Sequence, residues 1–147
     1  MSKTNNGLGV YPGGSFSRSL GYVVMRRKMY RSQVRGGISA SALTTTPTYA
    51  NPVDLSAYTE ALIILTASAT VSGAPAGVKL YCQITDYLGN FSDHPDFIGG
   101  VAITPTVTIG ILAVLKATNL GDMVRIGVSA TTAWAGGTIA LGIKAKS

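Results

Sequence analysis

The most regular pattern in the chain begins at Val78. Val78, Leu80, Cys82 and Ile84 alternate with Lys79, Tyr81, Gln83 and Thr85. Successive residues of a strand point to opposite faces, so this period of two predicts a half-buried β-strand. The alternation returns at Val124, Ile126 and Val128, with Arg125 on the other face. It returns again at Ile139, Leu141, Ile143 and Ala145, with Lys144 and Lys146 opposed. Val107, Ile109 and Ile111 are in phase, as on one face of a further strand over 107–115. Residues 60–71, β-branched and apolar, predict another. Turn signals separate these runs at 72–77, around Gly89 and Asn90, at 119–122 and at 135–137. Five or six strands at hairpin spacing, with no βαβ rhythm and no long helical period, predict an all-β body over 54–147. The expected architecture is an antiparallel β-sandwich, jelly-roll-like in character.

Upstream of Asp54 the pattern is lost. Residues 1–20 are rich in Gly, Ser and Asn, with a turn signal at 11–15. Residues 22–30 suit either a strand or a short helix, and Gly36–Gly37 is expected to end that element. Residues 38–53 are small, polar and Pro-containing, and read as extended linker. Residues 1–53 are therefore expected to be an N-terminal arm with little core of its own.

Charge divides the chain at the same place. Residues 1–53 hold seven Lys or Arg and no acid, whereas residues 54–147 hold five bases against six acids. The net charge of +6 thus describes the arm and not the body. The strongest basic stretch is GYVVMRRKMYRSQVR, residues 21–35. Tyr22, Arg26, Arg27, Lys28, Arg31 and Arg35 are the candidate contact residues there. Phosphate neutralisation with Tyr stacking is one reading of them. The interleaved Val23, Val24, Met25 and Met29 favour the other: a segment that docks on a protein partner, its Arg residues meeting acidic groups.

Only 12% of the chain is charged while 46% is hydrophobic. Ordinary domains carry about 25% charged residues. So little surface charge implies that much of the surface is covered by other copies or by a partner. No apolar run reaches the ~18 residues of a membrane span, and residues 1–14 do not read as a signal peptide. The one cysteine, Cys82, is in phase with Leu80 and Ile84 and reads as a small core residue.

Catalytic patterns are sparse. The one histidine, His94, stands between Asp93 and Asp96 in a Pro-containing loop, and a solvated loop is favoured there over a metal site. GLGVYPGG lacks the Lys-Ser/Thr of a phosphate loop. The six carboxylates form no obvious acid/base pair. Trp134, at an expected hairpin tip, suits packing better than an exposed anchor. A non-enzymatic protein without a cofactor or metal is expected.

The body also carries a resemblance. DLSAYTEALIILTASATVSG, then VKLYCQITDYLGNFSD, then NLGDMVRIGVSATTAWAGGTIALGIKAK resemble small structural proteins of tailed bacteriophages. Those pair a DLSxY opening with a strand, an acidic Gly-containing turn and an NLGxxxRV strand. The turn here lacks their usual Trp. The resemblance spans 54–147 and implies a virion protein of the capsid decoration or minor capsid type, assembled in the host cytoplasm. It further implies a homo-oligomer, with a trimer expected, whose arm clamps neighbouring capsomers of a major capsid protein. A tail, neck or connector subunit is the alternative within that class. A nucleic-acid-binding β-protein is the alternative outside it.

Overall fold

The structure is a computed structural model that describes residues 31–147, with side chains from Gly37 onward. Its strands are β1 (Arg31–Ser39), β2 (Thr48–Tyr49), β3 (Val53–Asp54), β4 (Glu60–Ser72), β5 (Lys79–Thr85), β6 (Phe91–Asp93), β7 (Val101–Ala102), β8 (Gly110–Thr118), β9 (Met123–Ser129) and β10 (Gly136–Lys146). Two short 3-10 turns, Ala40–Ala42 and Pro95–Phe97, complete the regular structure among the described residues. One sheet has the order β1-β10-β4-β8. The other has the order β2-β9-β5-β6, with β3 also on β9 and β7 also on β5. The registered pairings are antiparallel. The protein is an all-β sandwich, as the alternation predicts.

The inner faces are those the period of two marks. Ile139, Leu141, Ile143 and Ala145 of β10 and Ala61, Ile63, Leu65 and Ala67 of β4 are buried. From the second sheet, Leu80 and Cys82 of β5 and Val124, Ile126 and Val128 of β9 join them in one apolar cluster. At roughly 1.5–3 kcal/mol for each fully buried aliphatic side chain, this layer is the main stabilising term of the fold. Trp134 packs into it, in the connection between β9 and β10.

The sandwich begins earlier than the change of texture at Asp54. β1 runs straight through Gly36 and Gly37, which pair with Leu141 and Ala140 of β10. Ile38 packs against the core, and Ala40 and Leu43 are buried in it. Thr48 and Val53 pair with Val128 and Val124 of β9. Residues 31–53, expected as arm and linker, are thus built into both sheets. They show no periodicity of their own because β9 and β10 hold them by backbone hydrogen bonds, and the ladder overrides the weak strand preference of Gly. Residues 1–30 lie outside the described residues.

The second departure is one of phase. Val107, Ile109 and Ile111, expected on one face of a strand over 107–115, are all exposed, and the strand itself starts at Gly110, so Val107 and Ile109 precede it. In the pairing of β8 with β4, Leu65 meets Ala113 and Thr66 meets Ile111, so Leu112 is an extra residue. A bulge of one residue reverses the phase of a strand. After it, Ala113, Leu115 and Ala117 turn toward the core, and before it Ile111 turns away.

Candidate assembly surface

Among the described residues β8 is an edge strand with no partner on its outer ladder side, and its outer face is apolar. Ile111 is 60% exposed and Val114 45%. Val114 pairs with Ile64 and Ile111 with Thr66, so half-buried Ile64 extends the same face onto β4. Ile109 and Val107 continue the apolar exposure into the loop that enters the strand. Natural sheets protect free edges with charge, proline or a covering segment. Here the strand's one charge, Lys116, lies 3.7 Å from the Glu60 carboxylate of β4. The edge is therefore apolar and close to neutral. A second exposed feature is the turn between β5 and β6. There Asp86 Oδ1 accepts the backbone N–H groups of Leu88 at 2.8 Å and Asn90 at 2.9 Å. That turn holds Tyr87 almost fully in solvent.

The outer face of the second sheet is polar and aromatic. Gln83 stands directly between Arg125 and Asp93 in the cross-strand register. Arg125 Nε donates to Gln83 Oε1 at 2.8 Å, and Gln83 Nε2 donates to Asp93 Oδ1 at 2.9 Å. The guanidinium lies over the Tyr49 ring at 4.3 Å and over the Phe91 ring at 4.6 Å. Tyr49 in turn meets Tyr81 edge to face, and Ser129 Oγ donates to the Tyr81 hydroxyl at 3.0 Å. Burial, followed by the Asp93 charge, pushes the Tyr49 phenol above its ordinary pKa.

The side chains with catalytic or ligating chemistry are engaged elsewhere. His94 is buried, and its Nδ1 accepts the Asp96 backbone N–H at 3.1 Å. That leaves the ring proton on Nε2, which donates to the Thr118 carbonyl. Asp93 turns away toward Gln83 and the Gly99 N–H, and Asp96 points into solvent. The three residues of the loop do not converge on one point. Burial pushes the Cys82 thiol up to about 12, so it is a packed, protonated group.

Of the sequence-based contact residues, Tyr22, Arg26, Arg27 and Lys28 lie outside the described residues. Arg31 and Arg35 occupy register positions on β1 opposite Ala145 and Gly142, three strands from the β8 edge. The apolar β8 face was hidden from sequence reasoning because a run of β-branched residues reads the same facing in or out. Its signal was the surplus of apolar residues over what one core can bury.

No helix among the described residues is long and apolar enough to cross a membrane. No protein-family model and no curated protein matches the chain. Among solved structures, the crystal structure of the SPBc2 prophage-derived protein YomS is similar at 12% identity and a TM-score of 0.38. That similarity covers 78% of this chain and 95% of that one. A superposition this loose carries no argument about function.

Proposed function

We propose that the chain is a non-enzymatic structural protein of a tailed-phage virion, a capsid decoration subunit that associates with copies of itself. The observation that supports this reading is the open, apolar, charge-neutralised edge of β8. An exposed apolar sheet edge is unstable in isolation and is satisfied by a partner. Another copy fits it best. If β8 lies along a threefold axis, the three copies of Ile111 meet on it, as do the three of Val114. Lys116 adds no repulsion there because Glu60 already pairs with it. A closed trimer of this kind buries the apolar outer face of β8 in every subunit. The basic residues of 21–35 then make the contacts with neighbouring capsomers. In this reading His94 and Cys82 serve packing and no reaction.

Light scattering on the purified chain tests the self-association. A discrete mass near three times the chain's 15.2 kDa is expected. The double substitution Ile111→Lys and Val114→Lys is expected to return the mass to one chain with the fold intact. A monomer at every concentration, insensitive to those substitutions, would sink the reading. The virion role is tested by mass spectrometry of purified particles from a phage encoding the chain. Stoichiometric presence on heads supports decoration, presence on tails alone reassigns it to a tail or connector subunit, and absence from particles refutes it.

A further inference from the structure

The geometry points to a receptor for a single protein carboxylate at Arg125, on the sheet opposite the β8 edge and independent of the assembly reading. Arg125 is the central charge of the outer face of β9. Its planar group is clamped between Tyr49 and Phe91, at 4.3 Å and 4.6 Å. Its Nε–H is anchored on Gln83 Oε1 at 2.8 Å. A guanidinium has five N–H donors, and this anchor uses one of them. Among the described residues no carboxylate comes within ion-pair distance of the remaining fork, and no acceptor takes its Nη hydrogens.

A structural ion pair would set Asp93 against the guanidinium. Gln83 stands between them instead, turning its oxygen to Arg125 and its amide nitrogen to Asp93. The result is a cation held rigid, half out of water, with its charge uncompensated. That is the preorganised state from which an arginine fork binds a carboxylate in two parallel hydrogen bonds. The two half-buried rings shield the site and strengthen such a bond.

The surroundings select the kind of anion. Asp54 lies on the same sheet face, opposite Met123, and Asp93 lies two strands from Arg125. A polyanion such as a nucleic-acid backbone would meet both acids, whereas one Asp or Glu side chain from a protein surface meets the fork alone.

The test is an NMR titration of the full chain with the peptide acetyl-Gly-Glu-Gly-amide at constant ionic strength. Its Gln counterpart and a duplex DNA serve as comparisons. The Glu peptide is expected to move the Arg125 Nε–H signal saturably, and the Gln peptide to leave it in place. Arg125→Lys keeps the charge but loses the fork, and is expected to weaken the Glu-peptide response several-fold, read in all variants on the Gln83 side-chain amide signal beside residue 125. Tyr49→Leu removes one clamping ring and is expected to weaken it as well, which covers the case in which the lysine variant does not fold. Equal responses to the Glu and Gln peptides, or an unchanged response in both variants, would overturn the assignment. So would displacement by DNA at lower concentration than by the peptide.

Discussion

The Tyr49 ring lies directly on Gly127. A Cβ added at Gly127 would sit 2.7 Å from Tyr49 Cδ1 and 3.0 Å from the Thr48 carbonyl oxygen. Gly127 also pairs with both Tyr49 of β2 and Tyr81 of β5, at the centre of the second sheet. The missing side chain lets β2 close on β9 and places the Tyr49 ring beside Arg125.

Gly127→Ala is therefore expected to destabilise the fold by ~1–3 kcal/mol, the usual range for overpacking. Part of the contact is backbone, so a rotamer change of Tyr49 does not relieve it. Urea unfolding of the two proteins measures the difference. Equal midpoints would mean that β2 is not held against β9 in solution.

His94 joins the two sheets, since its backbone N–H donates to the Cys82 carbonyl of β5 and its ring donates to Thr118 at the end of β8. His94→Phe keeps an aromatic ring, slightly larger, and removes both ring hydrogen bonds. It leaves the part-buried Thr118 carbonyl and the Asp96 N–H without their ring partner, at up to about 1–3 kcal/mol for each group. A loss in that range is expected in urea unfolding, with faster hydrogen exchange at the end of β8.

The Cys82 thiol is expected to resist alkylation in the native protein at pH 8 and to react at once in denaturant. Burial first, and the Asp93 charge second, move its pKa from the ordinary 9.0 up to about 12. The folded protein thus holds a proton that the unfolded chain releases above pH 9. Stability from this site is present below that pH and declines as pH rises above it. Thiol titration against a chromogenic disulfide checks the first point. Urea midpoints compared between pH 8 and pH 10, for the native chain and Cys82→Ala, check the second.

The acid limb is expected to report Asp93. The Gly99 N–H, and then the Gln83 amide, hold its carboxyl below the ordinary carboxylate value of 3.8. A depressed carboxylate contributes stability above its unfolded pKa and loses it as pH falls through the lower native value. Asp93→Asn should flatten the stability profile below about pH 4. An identical acid limb in that variant would remove Asp93 from the account.

Much of the fold was legible in the chain. The alternations at Leu80, Ile126 and Leu141 named the strands and their buried faces correctly, because a period of two has one physical reading on a half-buried sheet. Gly36–Gly37 and the irregular 38–53 were less legible. Their place in the sheets comes from ladder partners far along the chain, which no local pattern announces.

The candidate surfaces divide in the same way. Composition alone indicated that the chain has more apolar surface than its core can hide, and the phase of β9 put Arg125 on the outer face. Where the apolar surplus surfaces was decided by the extra residue at Leu112, whose effect exists only in the pairing with β4. The clamp on Arg125 draws on Tyr49, Gln83 and Phe91 from three other strands, and only strand order makes them neighbours. Local alternation determines which way a side chain faces, while register and strand order, set by contacts distant in sequence, decide what it faces.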